Sequence, residues 1–179
     1  MIIRTALSDD APAYLAMLQQ LDHETDMMIY EPGERPDTVE SIRRRITEAQ
    51  SSGSLILLAE DEGSIVGFLT AERGFARRIH HSAYIVAGIL ASHRGQGLGR
   101  KLFEKLDRWA SNNKVSKLEL TVSVNNEPGI RLYTSMGYEK EGRKKNSLYL
   151  HGSYVDEFYM GKILKETPAE SVDTDKECC

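Results

Sequence analysis

The chain has 179 residues, of which 40% are hydrophobic and 28% charged, and its formal net charge is −4 with a pI near 5.8. This length and composition fit one soluble globular domain, and the acidic balance gives no electrostatic reason to expect a nucleic-acid partner. No apolar run approaches the roughly 18 residues of a membrane span, and residues 1–10 lack the pattern of a secretory signal. We therefore expect no membrane contact and a cytoplasmic location.

The cysteines and histidines give no sign of a structural clip. Cys178 and Cys179 are adjacent at the polar end of the sequence and cannot form a disulfide framework. The five histidines make no H-E-x-x-H pattern and no cluster with cysteine. We expect no metal site.

Hydrophobic periodicity and turn residues predict a mixed α/β chain of the α+β type. In chain order, the predicted elements are a strand at 2–7, helices at 8–22 and 37–50, strands at 54–60, 65–72 and 81–91, a helix from the glycine loop to about 112, a strand at 116–124, a helix at 125–137 and two strands within 138–164. This order places an antiparallel meander in the middle of one domain, residues 1–164. Residues 165–179 are polar, and we expect them to be disordered.

The segment ASHRGQGLGRKLF, residues 91–103, carries the strongest functional signal. Gly95, Gly97 and Gly99 lie between a predicted strand and a predicted helix, where several backbone N–H groups meet at the positive end of the helix dipole. Such a loop is an anion site, and phosphate is the natural ligand. Arg94, Arg100 and Lys101 add positive charge at its rim. The alternative is a glycine-rich turn that only connects the two elements.

Two familiar nucleotide-binding motifs do not fit this segment. The dinucleotide fingerprint G-x-G-x-x-G requires a glycine where the chain has Arg100. The P-loop also requires a glycine at that position, and no serine or threonine follows Lys101. The pattern therefore disfavours an ATP-binding enzyme.

Two segments resemble a known family. ILASHRGQGLGRKLF is similar to the R-G-x-G-[IL]-G loop of the GNAT acyltransferases, with Ala91 where proline is common. About thirty residues later, NNEPGIRLYTSMGYEKEG resembles the family's N-x-x-A-[IV]-x-L-Y-x-x-x-G-[FY], with Gly129 in place of alanine. The resemblance implies the GNAT fold over about residues 1–164. That fold is a mixed central sheet of about seven strands with four helices, in which the fourth and fifth strands splay apart.

The resemblance also implies acetyl-CoA as the acetyl donor and no metal. Its pyrophosphate would lie on the backbone amides of Arg94 through Arg100, and its pantetheine arm would pair with backbone groups of Ile89 and Ala91. Asn126 would cap the helix that follows it, contact the coenzyme, or do both. The cofactor-binding residues implied in this way are Ile89, Leu90, Ala91, Arg94, Gly95, Gln96, Gly97, Leu98, Gly99, Arg100 and Asn126.

The resemblance places Tyr133 at the family's tyrosine position, where the hydroxyl serves as general acid to the coenzyme A sulfur. From helix periodicity alone, Tyr133 could equally be a core tyrosine. The general base is not legible from the sequence. The candidates are Glu72 and Glu119 on strands, and Glu24 and Asp26 in the first loop, and each is also readable as a solvated surface carboxylate. Tyr84 either faces the acceptor or is buried by strand alternation.

The resemblance implies an N-acetyltransferase that transfers acetyl from acetyl-CoA to a primary amine, of a small molecule or a protein, by direct attack in a ternary complex. The alternative is a non-catalytic acetyl-CoA-binding sensor, which would need the glycine loop but no acid. In the family, the loop at 23–36 and residues near 145–155 usually form the acceptor pocket. Homodimers are frequent in the family, and we expect one here.

Overall fold

A seven-stranded sheet with helices on both faces forms the structure, a computed structural model that describes residues 1–164. The strands are β1 Ile2–Thr5, β2 Leu55–Asp61, β3 Ser64–Arg73, β4 Ser82–Ile89, β5 Lys117–Ser123, β6 Glu139–Leu150 and β7 Ser153–Ile163. The helices are α1 Ala11–Glu24, α2 Val39–Ser52, α3 Leu98–Asn112 and α4 Glu127–Ser135. The predicted α+β fold class and order of elements are confirmed. The tail predicted to be disordered, with Cys178 and Cys179, lies outside the described residues.

The strand order across the sheet is β1-β2-β3-β4-β5-β7-β6, and every neighbouring pair is antiparallel except β4 and β5. Those two strands run parallel and pair only where Ser82–Tyr84 face Lys117–Glu119. Beyond Tyr84 the strands separate, as the family resemblance predicts. The facing backbone groups of the separated strands are therefore left for other partners.

Helices cover the two faces of the sheet unequally. One core packs α3 and its stripe of Leu98, Leu102 and Leu106 onto the sheet from β2 to β7, with residues of α4 beside it. The second core packs α1 and α2 onto β2 and β3, and Leu21 of α1 also reaches the end of β4 at Gly88. On this second face, β4 around Tyr84 and Val86 is exposed, as is Tyr159 on β7. Ligands can therefore reach the gap between β4 and β5 from that side.

The helix boundaries differ slightly from those predicted. α1 runs to Glu24, where Gln20 donates a hydrogen bond of 2.8 Å to the Glu24 carboxylate one turn later. Glu24 therefore belongs to the last turn of a helix and not to a loop. α2 was predicted from residue 37 and begins at Val39, after Thr38, whose side chain accepts a hydrogen bond from Ser41 N–H and caps the helix.

Candidate active site

The glycine loop is built as an anion site. Gly95 and Gly97 have φ of 74° and 77°, a left-handed conformation that favours glycine. α3 begins without a side-chain cap, and the N–H groups of residues 95–100 donate to no acceptor within the described chain. An added Cβ at Gly95 or Gly97 would meet nothing within 4 Å, so the space over the donors is open. The pyrophosphate of a coenzyme fits this cradle.

The third glycine, Gly99, is required for helix packing. A Cβ at Gly99 would lie 2.8 Å from Leu132 Cδ2 on α4, which is closer than van der Waals contact allows. Gly99 therefore lets α3 and α4 pack closely, and this packing brings the helix of Tyr133 next to the coenzyme loop.

The backbone groups predicted to pair with the pantetheine arm already have partners. Ala91 N–H donates to Glu24 Oε2 at 2.6 Å, and Ile89 O accepts from Arg94 Nε at 2.8 Å. The family often has proline at the position of Ala91, and proline has no N–H. Glu24 holds this N–H in the structure, and pairing of the pantetheine arm with Ala91 stays a prediction. The two residues are 67 positions apart, so no local sequence signal could have shown the contact.

The other predicted coenzyme contacts divide by burial. Leu90 and Leu98 bury their side chains in the two cores, so only their backbones can touch a coenzyme. Gln96 is exposed and donates to Ser92 O at 3.0 Å. Arg100 extends toward the end of α4, where its Nη2 lies 3.4 Å from Ser135 Oγ.

The ring of Tyr133 packs against the core, as one of the two predictions for it states, and its role as general acid stays a prediction. Its ring packs against Phe103 at 5.4 Å and Tyr138 at 6.1 Å between centroids, which fixes its orientation. Burial, with a smaller contribution from Tyr84, raises the pKa of Tyr133 to about 12. The phenol is therefore neutral at physiological pH and holds the proton that a general acid must donate. Its hydroxyl makes no hydrogen bond within residues 1–164.

Asn126 caps α4, as one of the two predictions for it states. Its Oδ1 accepts from Gly129 N–H at 3.0 Å. A Cβ at Gly129 would lie 2.7 Å from Asn126 Nδ2, so the glycine found in place of the family's alanine makes room for this cap. Coenzyme contact by Asn126 stays a prediction.

The two strand carboxylates proposed as bases lie on either side of Tyr84. Tyr84 pairs with Glu72 of β3 and with Glu119 of β5, so the three side chains share one row on the uncovered face. Glu72 is exposed and unpaired within the described chain, while Glu119 Oε2 is 3.8 Å from Lys117 Nζ. The structure thus brings both carboxylates near the start of the splay and does not choose between them.

The loop of residues 25–38 is fastened by a buried ion cluster. Arg35 binds Asp22 through Nε and Nη2 at 2.6 and 2.7 Å, and Asp37 through Nη1 at 3.2 Å. The apolar residues of this loop differ in burial. Met28 packs on the core, whereas Ile29 is exposed. The sequence predicted neither the cluster nor its burial.

A surface contact joins the two segments expected to form the acceptor pocket. His151 Nε2, in the β6–β7 turn, lies 2.9 Å from Asp26 Oδ2, in the loop after α1. The Asp26 carboxylate raises the pKa of His151 above its ordinary range. The two segments therefore meet at this contact.

Two features are absent from residues 1–164. No helix among them is both long and apolar enough to traverse a membrane. No three histidine, cysteine, aspartate or glutamate side chains of this part of the chain are grouped as metal ligands would be.

The structure thus combines N–H donors at the start of α3, unpaired within residues 1–164, with two parallel strands that separate after Tyr84. The model of the acetyltransferase (GNAT) family matches residues 16–138, and the chain belongs to that family. Acetyl-CoA is accordingly its co-substrate, and the predicted class of acetyl-CoA-dependent N-acyltransferase is confirmed.

Similar proteins agree with this assignment. The L-amino acid N-acetyltransferase AaaT of Escherichia coli (strain K12) is 34% identical over 121 residues, which cover 64% of this chain and 72% of that protein. The crystal structure of a GNAT-family acetyltransferase from Streptococcus pneumoniae has a TM-score of 0.88 at 27% identity, covering 92% of this chain and 99% of that one. The structure of yncA from Salmonella typhimurium with its cofactor acetyl-CoA has a TM-score of 0.83 at 20% identity, covering 100% and 99%, and shares the fold.

Proposed function

We propose that this enzyme transfers the acetyl group of acetyl-CoA directly to a primary amine in a ternary complex, with Tyr133 as the general acid. The observation that carries the proposal is the position of Tyr133 on α4, packed beside the coenzyme loop through Gly99 and Leu132, with its pKa raised to about 12. A neutral phenol beside a departing thiolate can protonate it. The finer roles of the site residues are part of this proposal.

The donor end of the site would work through the backbone. The N–H groups of residues 95–100 would bind the pyrophosphate, and Arg94 and Arg100 would add positive charge at the rim. The pantetheine arm would lie along the edge of β4 that β5 leaves unpaired, as an added strand would. This arrangement would bring the thioester into the gap between the two strands.

The proposed acetyl transfer needs one general acid for the sulfur and one acceptor for the amine proton. The neutral amine attacks the thioester carbon, the C–N bond forms, and the C–S bond breaks as Tyr133 gives its proton to sulfur. The amine nitrogen loses a proton to become the amide, and Tyr133 regains one from solvent. Glu72 and Glu119 are the proposed acceptors of the amine proton, acting directly or through water.

A small-molecule amine is the acceptor that we favour. The loop beside the uncovered face carries Asp26, Glu31 and Glu34 together with exposed Met27 and Ile29, which suits a cationic amine with an apolar part. The similar AaaT protein is named for acetyl transfer to L-amino acids. We extend to this chain only the broader class of primary amines.

Initial-rate kinetics with acetyl-CoA and a panel of amines test the proposal. Thiol release is followed while both substrates are varied, and intersecting double-reciprocal lines are expected for a ternary complex. Parallel lines, or an acetylated form of the enzyme isolated without amine, would contradict direct transfer. Binding of acetyl-CoA with no amine-dependent thiol release would favour the sensor instead. The expected homodimer stays a prediction, to be checked by light scattering on the same sample.

A further inference from the structure

Tyr84 lies where the sheet opens. It is the last residue of β4 that pairs with β5, opposite Glu119, and from there the two strands separate. Its hydroxyl is 2.7 Å from Thr121 Oγ1, two residues further along β5. This side-chain hydrogen bond therefore crosses the mouth of the gap, where no backbone hydrogen bond joins the strands.

Tyr84 also faces the side from which an acceptor can enter. Its side chain is on the face that α1 and α2 leave uncovered, and the residue is 40% exposed. Val86, on the same face of β4, is exposed as well. A molecule that enters the gap from this face therefore meets the Tyr84 hydroxyl at the mouth of the gap.

Tyr133 lies on the other face of the sheet. It packs against the core between the sheet and α3, and its helix α4 follows the end of β5. Since β4 and β5 are apart at this point, groups from opposite faces of the sheet can meet between them. One phenol thus stands on the donor side of the gap and one on the acceptor side.

We propose that the Tyr84 hydroxyl binds the nitrogen of the acceptor amine and directs its lone pair at the thioester carbon. The inference rests on the proposed function and deepens it. A phenol has one donor and two acceptor lone pairs. Either hydroxyl can donate in the hydrogen bond between Tyr84 and Thr121. In the proposed complex Tyr84 donates to Thr121 Oγ1, which leaves the phenol oxygen to accept a hydrogen bond from the amine N–H. Tyr84 keeps its own proton throughout, so it orients the nucleophile and is not the base.

The Tyr84→Phe variant tests this role because it removes only the hydroxyl. We expect kcat/KM for the amine to fall by about 10- to 100-fold, the range that one lost hydrogen bond to a polar or charged group gives. The dissociation constant of acetyl-CoA and the melting temperature should stay near those of the wild type. The matched control is Tyr159→Phe on β7, a tyrosine 46% exposed on the same face, which should keep its activity.

The Thr121→Val variant separates binding from a structural clamp. If the bond between Tyr84 and Thr121 only holds the strands together, both variants should lower the melting temperature and weaken acetyl-CoA binding alike. If Tyr84 instead binds the amine, only kcat/KM for the amine should fall, and it should fall more in Tyr84→Phe than in Thr121→Val.

The activities of these variants and of the wild type distinguish a failure of the Tyr84 role from a failure of the proposed function. An unchanged kcat/KM in Tyr84→Phe, or an equal loss in Tyr159→Phe, overturns the role of Tyr84 while amine acetylation stands. A wild-type enzyme that acetylates no primary amine overturns the proposed function itself.

Discussion

The loop between α1 and α2 should depend on Arg35, and the Arg35→Met variant tests this dependence. The side chains of Arg35, Asp22 and Asp37 are 6%, 1% and 7% exposed, so the three charges are buried together. Removing one partner of a buried ion pair leaves an uncompensated charge and costs about 3–5 kcal/mol. Asp37 keeps Arg45 at 2.7 Å, so the loss falls on Asp22, which has no second cation within the described residues.

Urea unfolding and thermal melting measure this cost. At about 2–4 °C per kcal/mol for a domain of this size, the melting temperature should fall by roughly 6–20 °C. The affinity for acetyl-CoA should change little, because the glycine loop lies on α3, whereas KM for the amine should rise as the loop loosens.

A double variant shows whether the charge is the cause. Arg35→Met with Asp22→Leu removes both members of the bidentate pair, and apolar replacement of a buried pair is often neutral or stabilising. The double variant should therefore be more stable than Arg35→Met alone. A cost below about 1 kcal/mol for the single variant, or a double variant that is less stable still, would refute the reasoning.

Three further predictions concern packing, capping and charge. Gly99→Ala should cost about 1–2 kcal/mol by urea unfolding, and less in a Leu132→Val background, because the new Cβ meets the Leu132 side chain; equal costs in both backgrounds would argue against this contact. Asn126→Ala should cost about 1 kcal/mol in the same assay through the lost cap, and an unchanged midpoint would deny the cap any role. By NMR titration, the pKa of His151 should lie above about 6.5 and return toward it in Asp26→Asn; because the folded pKa is the raised one, the contact stabilises at low pH and is lost as pH rises through that pKa. An unchanged pKa of His151 in Asp26→Asn would mean that Asp26 does not cause the raised pKa.

Local signals in the sequence were sufficient for the elements and the loop. Helical periodicity, a glycine stop after α2 at Gly53 and the Asp-Glu-Gly turn at residues 61–63 fix the order of helices and strands. The alternate glycines and Arg94 point to an anion site by the same local chemistry. The splay of β4 and β5 was predicted from the family resemblance, because the sequence of a single strand does not determine which strand it pairs with.

The contacts that complete the site join residues that are distant in sequence. Ala91 with Glu24, and Tyr84 with Thr121, depend on the register of whole elements, which one sequence does not reveal. From the sequence, Gly99 was assigned to the anion site with the other two glycines. The structure shows that Gly99 makes room for the Leu132 side chain, which lies on another helix and could not be predicted from the local sequence. Periodicity gives the face on which a residue lies, but the partner across the gap comes from tertiary packing.

The most direct test of the central claim measures acetyl-CoA affinity and turnover together in Tyr133→Phe. Calorimetry should give a dissociation constant for acetyl-CoA close to that of the wild type, because the ring and its packing against Phe103 remain. The kcat for amine acetylation should fall by about 10²- to 10⁴-fold, the contribution of a positioned general acid. A Tyr133→Phe enzyme that binds acetyl-CoA and turns over at the wild-type rate would contradict the assignment of the acid.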